Sequence, residues 1–243
     1  MSSPDRLRYK ALDQALGLGL IPDPVLRSAS RAATRSRTRH EERGGIEARE
    51  VRLREIIERM SSGPVAEQVD VANEQHYELP SEFFELFLGP RRKYSSGYWP
   101  EDSTTLEQSE EEMLALTARR AGIEDGMKVL DLGCGWGSLT LWLAERFPGC
   151  RITSVSNSAT QKQTIDAEAT SRGLDNIEVI TADINDFEPE GRFDRIVSVE
   201  MFEHTRNWKE LLRRVSTWLE PGGRLFIHIF THRTLAYRFA GTW

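Results

Sequence analysis

Cysteine is scarce in this chain. Cys134 and Cys150 are the only two in 243 residues, too few for a disulfide framework and not at zinc-ligand spacing, so reduced thiols and no structural zinc are expected. Long apolar runs are missing too: none approaches the roughly 18 residues that a membrane-spanning helix needs. The opening "MSSPDRLRYKALDQ" lacks the apolar centre of a secretory signal, so the expected location is cytoplasmic. Nor is there an excess of positive charge. The formal net charge is -6, with 32 Lys and Arg against 38 Asp and Glu, which argues against general nucleic-acid binding. No internal repeat or low-complexity tract is present. What remains, 39% hydrophobic and 29% charged residues, suits one globular domain plus an extension, with enough apolar residues for a sizeable core.

Along the chain, three regions are expected: a helical extension over 1–63, a helical cap over 64–125 that contributes to the site, and a core from 126 to 243. In the first, "EAREVRLREIIERM" puts Leu53, Ile56, Ile57 and Met60 at helical spacing before Gly63 and Pro64 stop it. Arg27, Arg31, Arg35, Arg37 and Arg39 occur with no acid between Asp23 and Glu41. Four of these are four apart, so a helix would align them on one face. That face could rest on anionic lipid headgroups or simply be solvated. The second region predicts a short helix over Ser81 to Leu88, and a longer one capped by Ser103 or Thr104 with Glu107 to Glu112 in its early turns.

After Gly126 the pattern changes. "MKVLDLG", "RITSVS", "NIEVITA", "FDRIVSV" and "GGRLFIHIF" are short β-branched-rich runs, separated by the helical segments "SLTLWLAERF", "ATQKQTIDAEATSR" and "NWKELLRRVSTWLE". This alternation predicts an α/β fold: a Rossmann-like, mostly parallel, doubly wound sheet with right-handed crossovers. Ligands of such sheets bind beyond the carboxyl ends of the strands.

"VLDLGCGWGSL" reads as strand, tight turn and helix start. Gly133 permits the turn, Gly135 lets a ligand approach the backbone, and the free N–H groups of the next helix face that ligand. The spacing is GxGxG rather than the GxGxxG of a dinucleotide site. The acid expected about 20 residues further on, to hold a dinucleotide ribose, is also missing from "SVSNS". Asp131 before the loop and Asp183 in "ITADIND" suit a nucleoside with an amino-acid tail. Asp183 can sit beside an adenine with Ile184 over its face; it equally suits a turn or a helix N-cap.

The stretch "SVEMFEHTRNW" gathers Glu200, Glu203 and His204 at the end of the fourth strand. A base poised near neutral pH with a carboxylate to orient it suits the deprotonation of an amine. Glu203 and His204 also suit the start of a helix. His228, alternating with apolar neighbours in "LFIHIF", reads as either a site residue or a core histidine. Phe83, Phe84, Tyr98, Trp99 and Trp136 are candidates for a cation-tolerant pocket or for core. His228 and His232 lack a third ligand, so no metal is expected.

Taken together, "VLDLGCGWGSL", "SNSATQKQ", "TADIND" and "VEMFEH" resemble S-adenosylmethionine-dependent class I methyltransferases of the cyclopropane fatty acid synthase type, a group that includes coclaurine-like amine N-methyltransferases. The resemblance covers about Val71 to Tyr237 and includes "ANEQHYELPSEFFELFLGP". It implies S-adenosylmethionine as cofactor, released as S-adenosylhomocysteine (SAH). It also implies that Tyr94, Ser95, Gly133 and Gly135 hold the methionine portion, Asn157 and Gln161 lie near the ribose, and Asp183 and Ile184 at the adenine. Cyclopropane-forming members use bicarbonate, held partly by a cysteine of "YSC", the glutamate of "FEH" and a histidine on the fifth strand. This chain has Glu203 and His228 but Ser96 at the cysteine. "VEMFEH" and "SNSATQKQ" are closer to the amine methyltransferases, whose glutamates and histidine act on the substrate nitrogen.

The expected activity is therefore N-methylation of a small amine. The alternatives are methyl or methylene addition to unsaturated phospholipid chains, with lipid contact through the arginine stripe, and a non-catalytic cofactor-binding module. Proteins of this fold add two antiparallel strands after the fifth. The end at "THRTLAYRFAGTW" leads to the expectation that these are missing, through truncation or because a partner supplies that surface, and that an exposed edge associates, as in a homo-oligomer, or lowers stability.

Overall fold

The computed structural model describes residues 14–67, 83–84, 86–94, 96–102 and 104–236. These fall in two compact units, one running up to Ile56 and resuming at His232, the other Ile57–Thr231. In the first unit lie α1 (Asp23–Glu41) and most of α2 (Gly45–Arg59). Asp23 and Pro24 begin α1, where a missing amide costs nothing. Its end is capped from outside: Arg52 Nη2 donates to the carbonyls of Glu41 at 2.5 Å and Arg43 at 3.1 Å. Among the described residues no helix is long and apolar enough to cross a membrane.

The second unit is an α/β sandwich. Its elements run α3 (Leu106–Ala121), β1 (Lys128–Leu132), α4 (Ser138–Arg146), β2 (Arg151–Ser156), α5 (Ala159–Arg172), β3 (Ile177–Thr181), β4 (Phe193–Val199), α6 (Trp208–Trp218) and β5 (Leu219–His228). The strands lie in the order β3-β2-β1-β4-β5, all neighbours parallel. Successive residues serve opposite faces, as the pleat requires. Val129 and Val197 pack with Leu114, Ala118, Trp142 and Leu143 from α3 and α4. Leu130, Leu132 and Ile196 pack with Leu211, Val215 and Trp218 from α6. Burying a side chain such as Leu211, which is fully enclosed, is worth about 1.5–3 kcal/mol. Because α3 shares a core cluster with β1 and β4, it is part of the sandwich, whereas the sequence boundary at 126 assigned it to a separate cap.

Strand order reverses on the two sides of β1. The chain moves outward through β2 and β3, then returns to place β4 on the other side. Register pairs Asp131 with Val197, so the turns that follow β1 and β4 open side by side at the carboxyl edge, where the switch in strand order leaves a crevice. At the far side, Phe193 pairs with Leu219 but Arg195 with Arg224. Pro221, Gly222 and Gly223 are taken up in that irregularity, which is how proline sits inside β5.

Two local expectations are corrected. Thr105, rather than Ser103 or Thr104, caps α3, in a capping box with Gln108; Ser103 lies outside the described residues. Of the helix expected from Ser81 to Leu88, residues 81, 82 and 85 lie outside them, Phe83 and Phe84 are helical, and 86–87 form a turn.

Candidate active site

The turn after β1 is built on a buried polar network. Asp131, 2% exposed, accepts a 2.7 Å hydrogen bond from Thr140 Oγ1, which also lies 2.7 Å from Ser154 Oγ. Burial pushes the Asp131 carboxyl up to about 6, against the opposing pull of Thr140 and of the Lys93 charge. Above it the three glycines have different tasks. A Cβ on Gly133 would stand 2.6 Å from Met201, and one on Gly137 would stand 2.6 Å from Ile165; both positions let protein pack on protein. Gly135, at φ +54, has nothing within 4 Å, so its backbone faces open space in which a ligand can lie.

A second strip of chain, residues 89–94 and 96–98, runs here without regular structure. It is held by one side chain. Glu110 of α3, 1% exposed, accepts hydrogen bonds from the backbone amides of Gly89 at 3.1 Å, Arg91 at 3.0 Å and Lys93 at 3.2 Å, and Ser109 O accepts from Tyr98 N at 2.9 Å. Arg91 and Arg92 clip the strip outward, to Glu111 and Glu145 and to Glu168. Thus fixed, it presents Lys93 and Ser96. Lys93 has its charge disfavoured by burial, with Glu200, Glu110 and Asp131 opposing that shift. Lys93 and Glu110 were not among the residues expected from sequence. The signal for Glu110 was available: within the acidic run it is the glutamate on the stripe of Leu114 and Ala118.

At the end of β4 the backbone turns through Glu200 with φ 54, and the Ser96 facing it has φ 61. Both lie in the left-handed region that L-residues avoid. Ser96 Oγ donates to Glu200 Oε1, and Glu200 N donates to His228 O at 2.7 Å. A single 3-10 turn, Phe202–His204, then carries Glu203 and His204. Phe202 is fully buried and anchors the turn, while the His204 side chain is exposed. Glu203 Oε1 accepts from Phe230 N at 2.8 Å, and its Oε2 is buried with no partner. His228 is half-buried on β5, opposite Val199. The geometry thus gathers Glu200, Ser96 and Lys93 directly, with Glu203 on the adjoining turn.

Beyond β2, Gln161 is 2% exposed. Its Oε1 takes a 2.5 Å hydrogen bond from Ser156 Oγ, which leaves Nε2 a buried donor without an acceptor. Asn157, beside it, is exposed. After β3, Asp183 Oδ1 accepts from Asn185 N at 2.8 Å, an Asx turn, and half-buried Ile184 packs with the β4 and α6 core. Asn185 in turn pairs with both backbone groups of Ala66, at 3.0 and 3.2 Å. The orphan Gln161 donor and the open backbone at Gly135 are what a nucleoside-bearing cofactor would fill.

The aromatic cluster is narrower than expected. Phe84 contacts Trp136 at 4.7 Å and Tyr94 at 6.1 Å, and Phe83 and Phe87 add edge contacts; Phe84 and Trp136 are buried, while Phe83, Phe87, Tyr94, Tyr98 and Trp99 are exposed. Ser95 lies outside the described residues. Among the described residues, no group of three or more His, Cys, Asp or Glu is gathered to hold a metal.

Comparison with known proteins gives the family. The chain is 36% identical to (S)-coclaurine N-methyltransferase of Thalictrum flavum subsp. glaucum over 237 residues, 98% of this chain but 66% of the relative. It is 33% identical to the cyclopropane-fatty-acyl-phospholipid synthase of Escherichia coli (strain K12) over 160 residues, 65% of this chain and 40% of that one. A crystal structure of coclaurine N-methyltransferase bound to N-methylheliamine and SAH matches with a TM-score of 0.88 at 38% identity, covering 95% of this chain and 66% of that one. The chain thus spans slightly under two thirds of the length of that relative. Residues 66–240 match the family model described as mycolic acid cyclopropane synthetase, and the chain belongs to that family.

Proposed function

We propose that this chain carries the cofactor-binding and catalytic core of an S-adenosylmethionine-dependent methyltransferase that acts on the nitrogen of a small amine. The observation that carries the choice of acceptor is Glu203 Oε2, a buried acceptor with no donor. An ammonium N–H supplies such a donor directly, whereas an alkene supplies none and would need the O–H of a bicarbonate in its place. Ser96 adds to this, because its hydroxyl hydrogen is committed to Glu200 rather than offered to a bicarbonate. The names of the coclaurine relatives are in keeping with the same reading.

In this reading Gly135 and Gln161 hold the cofactor directly, with Asp183 and Ile184 at the adenine, Asn157 near the ribose, and Tyr94 and Ser95 toward the methionine end. Asp131 and Gly133 act beneath the loop, through Thr140 and Met201. The cofactor supplies a methyl group on a positively charged sulfur. The task of the chain is to align the nitrogen with that methyl and to exclude water. Glu203, fixed by Phe230 N, receives the protonated amine. Glu200, held by Ser96 and near Lys93, adds negative charge beside it, and His204 on the exposed turn, with His228 nearby in sequence register, accepts the proton that the amine must lose before it attacks.

Isothermal titration with S-adenosylmethionine and SAH, followed by an amine screen, tests the reading. Micromolar binding and turnover are expected. Glu203→Gln should keep SAH affinity within about twofold and lower turnover by about 10²-fold or more, the range for a lost acid–base partner. Loss of binding in Glu203→Gln would mean that the glutamate serves the cofactor.

A second reading, modification of phospholipid acyl chains, draws on α1, where Arg27, Arg31 and Arg35 stand exposed four residues apart. It predicts salt-sensitive pelleting with anionic vesicles. Vesicles that retain none of the protein at low salt would remove it.

A further inference from the structure

Trp136 stands between the second and third glycines of the loop. It is 4% exposed, and its indole Nε1–H meets no acceptor. Two residues on, the Ser138 hydroxyl at the start of α4 is also buried without a partner. Both residues line one small cavity of about 10 Å³, which Arg91, Arg92, Glu168 and Arg172 also border. That is room for one water molecule.

Charge decides what can enter. Arg91 faces Glu111 at 3.0 Å and Glu145 at 2.6 Å, Arg92 faces Glu168 at 3.1 Å, and Arg172 faces Glu145 and Glu168, each at 2.8 Å. Each guanidinium already has a carboxylate, so the cavity does not call for an anion. It calls for a small neutral molecule that can accept from an indole and pair with a hydroxyl.

We propose that one ordered water fills this cavity, accepting from Trp136 Nε1 and pairing with Ser138 Oγ, and that Trp136 is thereby a positioning residue for the glycine loop. Phe84 holds the face of the indole, at 4.7 Å, and the water holds its edge. With both fixed, the left-handed residues Gly135 and Gly137 on either side keep the open backbone in place. The effect on cofactor affinity rests on the methyltransferase reading; the water does not.

Nuclear magnetic resonance tests the site in the intact chain. The Trp136 indole N–H, assigned as the signal lost in Trp136→Phe, should show cross-relaxation with a long-lived water. Ser138→Ala should lower the thermal midpoint, and in a Trp136→Phe background the same change should have less than half that effect, because the two groups share a partner. SAH should bind Trp136→Phe about tenfold more weakly, the order expected when a positioning group is displaced. A missing water signal together with a raised midpoint in Ser138→Ala would mean a dry cavity and overturn the proposal. SAH affinity of Trp136→Phe within twofold of the parent would overturn the positioning role. A chain that shows the water signal but binds no SAH would refute the cofactor reading instead.

Discussion

The turns after β1 and β4 stand side by side, yet they solve the same backbone problem in opposite ways. After β1, every left-handed residue is glycine: Gly133, Gly135 and Gly137. After β4, the left-handed residue is Glu200, opposed by a left-handed Ser96. Glycine adopts this conformation without steric cost, whereas another residue there costs about 1–3 kcal/mol. The first turn only has to let other groups come close. The second has to present a carboxylate at a fixed point, and a glycine has none to present.

Valine substitutions along the first turn give the largest expected effects. Gly137→Val drives a side chain into Ile165 and should leave little folded protein. At Gly135 a Cβ has no protein atom within 4 Å, so Gly135→Val should keep the fold, with a midpoint lowered by the left-handed backbone strain, while SAH affinity falls below detection by titration. Equal unfolding in the two variants would erase the distinction drawn between packing glycines and ligand-facing ones.

Next in size is the pH dependence of Asp131. Its carboxyl is raised from 3.8 to about 6 by burial, so the native state binds the proton more tightly than the unfolded chain does. Its favourable contribution is therefore complete below about pH 4 and disappears as pH rises through about 6, a loss of about 3 kcal/mol at ~1.36 kcal/mol per unit. Asp131→Asn should remove this decline while keeping an acceptor for Thr140. Denaturant midpoints at pH 4.5 and 7 measure it; an unchanged slope would show that Asp131 is not the source.

The smallest effect is expected at the strained turn. Glu200→Gly relieves the left-handed cost but forfeits the hydrogen bond from Ser96, so stability should stay within about 1 kcal/mol of the parent. Turnover should fall by far more than stability does. A stability loss of several kcal/mol would mean that Glu200 is there for the fold.

The core of this arrangement was legible in the chain because it rests on periodicity and glycine. The first four strands and the helices between them fall on the segments expected, and the open position at Gly135 follows from GxGxG; the fifth strand starts at Leu219, inside the segment expected to be helix, because Pro221 and the two glycines are taken up in its irregularity. The residues that escaped notice act through backbone atoms or burial, which leave no pattern. Glu110 looked like one of several helix-dipole acids until its three amide partners appeared. Lys93 stood in a strip without periodicity. Aromatic identity in an irregular segment does not fix burial: Tyr98 and Trp99 are exposed, as Phe83 and Tyr94 are. The Ser103 or Thr104 cap was misplaced because the deciding partner, Gln108, lies three residues on from Thr105.

Glu110 grips main-chain amides, and those are the same whatever side chain each residue bears. The path of the strip from Gly89 to Lys93 therefore depends on few of its own side chains: Gly89, where a Cβ would collide with the Glu110 carboxylate, and Arg91 and Arg92, which clip it to Glu111, Glu145 and Glu168. Such a segment can be rewritten, in nature or at the bench, to meet a different acceptor without rebuilding the scaffold beneath it. The strip is the replaceable part of this core, and a single acid on α3 is its socket.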